Sequence, residues 1–220
     1  MASSNTKVLL FSKYGRLGAS SRVRSYQYLE YLENNKINVT VAELFSDEYL
    51  EILYRTGKNS KKIIFNSYVK RFYTLLKAII LKQYDIFWIE KELFPWVPFL
   101  FEAFFYKTKI PVFVDYDDPI FHFYDSHKST LVRSLLGKKI SKIMRISSHV
   151  SVSSHYMFDY AKKKSSKKIS IIPPAVDFSR YKNIKRDNVN VCTIGWIGST
   201  SATKYLYTIE KALIEINLNN

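Results

Sequence analysis

The chain has 220 residues, 47% hydrophobic and 16% aromatic, enough for one sizeable domain or for one domain and part of another. Its 34 Lys and Arg against 19 Asp and Glu leave a formal charge of +15, which either points to anionic partners or serves solubility alone. A single cysteine, Cys192, excludes an internal disulfide, and the opening MASSNTK has no apolar signal core.

The first strand is predicted at KVLLFS (7–12), followed by a glycine loop and a helix over about 20–34. INVTVAEL (37–44) reads as the second strand, 61–82 as a long helix, and YDIFWIE (84–90) as the third strand. A helix over 96–107, a strand PVFVDY (111–116), a helix over 128–146 and a strand HVSVSS (149–154) follow, then a helix over 155–164 and a strand KISIIP (168–173). Several of these strands are apolar throughout, as strands covered on both faces must be. The alternation predicts an α/β fold, a Rossmann-like doubly wound parallel sheet with every strand-to-helix loop on one edge, where such folds bind ligands.

PPAVDFSRYKNIKRDN (173–188) lacks any sustained period and reads as a linker. VNVCTIGWIGS (189–199) then begins again as strand and glycine loop, and 202–216 has the spacing of an amphipathic helix. The predicted organisation is therefore a first domain at 1–172, a linker at 173–188 and the opening of a second, truncated α/β domain at 189–220.

Four constellations carry candidate chemistry. In SKYGRLGASSRVR, Gly15 and Gly18 let an anion approach the backbone, Ser20 or Ser21 can cap the next helix, and Arg22 and Arg24 offer paired donors. The spacing fits neither a Walker loop nor the dinucleotide fingerprint. VDYDDP ends a strand with Asp115, Asp117 and Asp118; alternation puts Asp115 and Asp117 on one side and Asp118 on the other. Such carboxylates suit sugar hydroxyls, a metal or general-base work. Glu90, Lys91 and Glu92 follow the third strand and read equally as a site or as a solvated turn.

Two basic stretches complete the set. Helix 61–82 interleaves apolar residues with Lys62, Lys70, Arg71 and Lys77, the pattern of a membrane-surface helix or of a core helix with a solvated basic face. From Lys128 to Lys168, eleven Lys or Arg accompany one acid, Asp159. The most apolar stretch, LFPWVPFLFEAFFY (93–106), contains two prolines and a glutamate and falls short of the roughly 20 residues that span a bilayer. Histidine spacing and the lone cysteine offer no zinc set.

Taken together, GASSRVRSYQYLEYL, YDIFWIEKELFP, PVFVDYDDPIF, HVSVSSHYMFDYAKK, ISIIPPAVDFSRY and IGWIGSTSATKYL resemble, in order and spacing, the N-terminal half of GT-B glycosyltransferases of family 4, also labelled group 1. The resemblance implies hexosyl transfer from a UDP- or GDP-sugar to a glycan, lipid-linked or similar acceptor, with no cofactor and no resident metal. It places Gly15, Gly18, Ser20, Ser21, Arg22, Arg24, Glu90 and Lys91 at the substrate and phosphate crevice. Gly198, Ser199 and Lys204 fall at the phosphate-contacting start of the second domain, where Trp196 stands in place of a frequent arginine. Asp117, with Asp118 beside it, takes the position of a sugar-contacting histidine of the family and is assigned the catalytic role. The family's Glu-x7-Glu donor-binding motif is not in these residues, so the chain is expected to be inactive alone. The partners expected are the sugar-nucleotide and acceptor, an anionic membrane surface, and a second copy or a complementing donor-domain subunit, but not nucleic acid. A cytoplasmic protein, peripheral on the inner membrane face, is the corresponding location. The alternative is a non-catalytic module that docks on anionic membrane or on a partner enzyme through its basic face.

Overall fold

The computed structural model describes residues 5–164, 168–178, 193–198 and 200–218. The chain divides into two compact units, Met1–Asp177 and Phe178–Asn220. The first is an α/β unit around a six-stranded, all-parallel sheet. Its strands are β1 (Thr6–Tyr14), β2 (Ile37–Phe45), β3 (Ile86–Glu90), β4 (Val112–Tyr116), β5 (His149–Val152) and β6 (Lys168–Ile171). They lie in the order β2-β1-β3-β4-β5-β6.

That order dresses the two faces unequally. The step from β1 to β2 runs one way along the sheet, and the four later steps run the other way. Right-handed crossovers therefore send the first connection to one face and the rest to the opposite face. The first connection is α1 (Ala19–Arg24), a 3-10 turn at Tyr26–Tyr28 and α2 (Leu29–Asn34). The others hold α3 (Asp47–Thr56), α4 (Lys61–Leu81), α5 (Phe99–Tyr106), α6 (His122–Asp125), α7 (Thr130–Leu136), α8 (Lys139–Ile146) and α9 (His155–Lys164). On this well-covered face Leu9, Phe11, Phe87, Ile89, Val114 and Val150 pack against Leu75 and Ala78 of α4, Ile143 of α8 and Met157 of α9. The opposite face leaves an open apolar cleft of about 570 Å³ over Val8, Ile86, Trp88 and Phe113, flanked by Tyr28 and Leu32.

All six strands lie where the apolar runs place them. The helices depart in instructive ways. α3 was not anticipated, although Ser46 caps it by accepting from the Tyr49 amide and Gly57 closes it with φ of 70°. The single helix expected at 20–34 is broken by the 3-10 turn, and that at 128–146 is interrupted at Gly137 and Lys138. Arg71 is not on a solvated basic face. It is 2% exposed, and its guanidinium donates to the carbonyls of Ser12, Ala42 and Leu93. Burial lowers its pKa to about 10, so it keeps its charge while tying β1, β2 and the loop after β3 together.

The second unit is described by itself. Residues 193–198 form neither helix nor strand, so the strand expected from 189 does not extend over 193–195, and residues 189–192 lie outside the described set. The helix expected at 202–216 is a 3-10 helix, Thr200–Thr208, followed by α10 (Glu210–Leu218).

Candidate functional site

The strand order reverses between β1 and β3, and the crevice beyond their C-terminal ends is where open α/β sheets hold ligands. Glu90, the last residue of β3, sits at this point. Its carboxylate accepts from Ser21 Oγ at 2.9 Å, from Ser20 Oγ at 3.4 Å and from the Lys13 amide at 3.3 Å. Burial pushes the Glu90 pKa up, against the hydrogen bond from Ser21 and the charge of Lys91. The two serines thus bind Glu90 and do not cap α1, whose N-cap is Gly18 with no side-chain cap bond.

Lys91 turns the chain sharply off the sheet. Its φ is 66°, the Glu92 amide donates to the Glu90 carbonyl at 2.9 Å, and its own amide donates to the Asp115 carbonyl at 2.8 Å. A two-residue hydrogen bond around a non-glycine at positive φ is a strained γ-turn, a conformation concentrated at functional sites. The turn brings Lys91 Nζ to 2.8 Å from Asp117 Oδ1 and 3.1 Å from Asp118 Oδ2. Burial disfavours the ammonium, but Asp117 and Asp118 outweigh it and the Lys91 pKa rises. The Lys91 side chain is 10% exposed and those of Asp117 and Asp118 are 13% and 63% exposed, so the clamp opens to solvent through Asp118.

The carboxylates do not sort as strand alternation predicts. Asp115 points inward, where Arg24 Nε donates at 2.8 Å, Arg24 Nη2 makes the second arm of a bidentate pair, and Ser151 Oγ donates as well. Asp117 and Asp118 instead converge on one ammonium. Alternation holds only within the strand, and β4 ends at Tyr116. Arg24 Nη1 also reaches the Ile172 carbonyl, so this arginine is engaged inside the fold.

The glycines are needed for close packing. Neither has positive φ; a Cβ on Gly15 would stand 2.3 Å from Asp47 Oδ1, and one on Gly18 would stand 2.3 Å from Tyr14 Cβ. Arg22 is exposed and loosely held by the Arg16 carbonyl at 3.2 Å. In the second unit, Gly198 is packed against the Trp196 ring, and Lys204 is exposed over Tyr205. Ser199 lies outside the described residues.

Two members of the crevice were not picked out from sequence. Lys13 and Tyr14 prolong β1 to its end, with Lys13 Nζ 5.2 Å from the Tyr14 ring centre. Burial and then the charge of Lys91 lower the Lys13 pKa, while burial raises that of the Tyr14 hydroxyl. The signal available was that the apolar run of β1 ends at these residues. Glu92 is not part of a solvated turn either. It accepts from Tyr124 OH at 2.7 Å and meets Lys139 Nζ at 2.6 Å, and the same ammonium lies 2.7 Å from Glu102. This fully buried group holds the loop after Lys91 in place from behind.

The apolar cleft and the charged crevice are different places. Arg24 and Asp115 line the cleft, whereas Lys13, Glu90, Lys91, Asp117 and Asp118 do not and gather at the strand ends. The crevice gathers Lys13 and Lys91 with Glu90, Asp117 and Asp118; Lys91 is ion-paired to both aspartates, whereas among the described residues Lys13 feels Glu90 and Asp117 without a direct ion pair. Such mixed donors and acceptors match a polyhydroxylated ligand. Comparison of the chain with protein-family models, with curated proteins and with solved structures gave no significant match.

Proposed function

We propose that the first unit is the acceptor-side wall of a sugar-transfer site of the GT-B glycosyltransferase kind. The observation that carries this reading is the Lys91 clamp on Asp117 and Asp118, beside Glu90, at the point where the strand order reverses. On this reading Asp117, positioned by Lys91 at 2.8 Å, accepts hydrogen bonds from sugar hydroxyls. It takes up the proton released as the acceptor oxygen attacks the anomeric carbon. Glu90 and Ser20 orient the acceptor, and Arg22 meets the charge of the leaving nucleoside diphosphate, UDP or GDP. The second wall, which grips the donor, belongs to a second α/β domain whose opening we assign to the residues after 188.

Saturation-transfer NMR on the full chain tests it, with soluble oligosaccharides and UDP- and GDP-sugars as probes. We expect saccharide signals that fall at least roughly fivefold in Asp117→Asn, with the fold unchanged by circular dichroism. Absence of signal from every saccharide and nucleotide sugar overturns the reading, as does full retention of the signals in the variant.

A further inference from the structure

α5 has the sequence FLFEAFFY, and its one polar charge, Glu102, is turned fully inward to Lys139. Its outward side is apolar: Leu100 is 80% exposed, Phe101 69% and Phe104 66%, with Trp96 just before the helix at 55%. An apolar helix exterior of this size is not what a surface helix in water presents. The flanking charge is mainly basic, with Asp125 of α6, near the Trp96 end, paired to His122. Between residues 93 and 113 the exposed charges are Lys107 and Lys109, and 128–145 adds the exposed Lys128, Arg133, Lys138, Lys142 and Arg145 with no acid. Lys142 of α8 lies 5.5 Å from the Phe99 ring, which joins the basic stretch to α5.

We infer that this surface docks on a lipid bilayer carrying anionic headgroups, with α5 lying in the interface and not across it. Phe and Leu side chains enter the acyl boundary, Trp96 takes the headgroup level, and the lysines meet the lipid charge. No described helix is long and apolar enough to cross a membrane. A bilayer fits better than a protein partner because the exposed charges flanking α5 are predominantly Lys and Arg, complementary to a uniformly anionic plane. The inference stands apart from the sugar-transfer reading, since none of these residues lies in the crevice.

Vesicle flotation of the full chain tests it, comparing phosphatidylglycerol-containing with purely phosphatidylcholine vesicles. We expect the protein to float with the anionic vesicles only, to be released by high salt, and Trp96→Phe to lose most of the quenching by brominated lipid. Leu100→Ser/Phe101→Ser/Phe104→Ser should weaken binding by at least about tenfold, because three interfacial side chains are removed. Lys107→Glu/Lys109→Glu keeps the apolar centre and should weaken it by about threefold or more. No flotation, flotation undiminished by the triple variant, or equal binding to neutral vesicles overturns the inference. So does a dimer in size-exclusion chromatography that the triple variant dissolves in the absence of vesicle binding, which would make the surface an interface between copies.

Discussion

At the residue scale, the crevice depends on a few side chains whose alternatives are poor. Gly18 and Gly15 differ in what a methyl group would meet. On Gly18 it strikes the Cβ of Tyr14, which cannot swing away, whereas on Gly15 it strikes the carboxylate tip of Asp47, which can. Gly18→Ala should therefore cost about 2–3 kcal/mol and Gly15→Ala about 1 kcal/mol, the latter with loss of the Asp47 bond to the Leu17 amide. Urea midpoints on both variants check the order, and equal costs would contradict it. Asp115→Asn removes the charge partner of a buried arginine and should cost roughly 3 kcal/mol by the same measurement. How much of this was legible varies residue by residue. Arg71 was readable: three positions after Tyr68 and four before Leu75, it falls on the inward stripe of its helix. The Lys91 clamp was not, because it rests on a left-handed backbone and on two aspartates beyond the reach of strand alternation.

At the element scale, the loop from Lys91 to α5 is held by buried charge. One lysine, Lys139, serves two carboxylates, Glu92 and Glu102, with Tyr124, Tyr106 and Tyr116 packed near them. Burial outweighs Lys139 at Glu102 and lifts its pKa from the ordinary 4.5 to about 7. A carboxyl that binds its proton more tightly folded than unfolded favours the fold at low pH, and the benefit fades as pH rises through about 7. Glu90 shifts the same way. Unfolding free energy should thus decline by roughly 1–3 kcal/mol between pH 5 and 8, a slope that Glu102→Gln should flatten in denaturation series at several pH values. A slope unchanged in the variant would remove Glu102 as its source. The strands were legible because each is an uninterrupted apolar run between polar turns. α3 was overlooked although its sequence carries a serine cap, two acids in its first turn and a terminal glycine. The break between α7 and α8 was marked only by Gly137, whose φ of −57° is ordinary, so no local chemistry announced it.

At the scale of the whole molecule, the first unit contains a complete sheet, its core and the crevice within residues 5–177. A chain ending at Asp177 should keep the fold, with a thermal midpoint within about 3 °C of the full chain by circular dichroism. A molten product would show that the later residues are structurally required. The doubly wound class could be anticipated from the alternation of elements, but the strand order, and with it the unequal clothing of the two faces, rests on the pairing of β1 with both β2 and β3. Arg24 makes that architecture matter in time. Its partners sit 91 residues away at Asp115 and 148 residues away at Ile172, so a ribosome must emit nearly the entire unit before this guanidinium can be satisfied. A stalled product that ends before Asp115 lacks the carboxylate that meets this guanidinium, and one that ends before Ile172 lacks only its last acceptor, a backbone carbonyl.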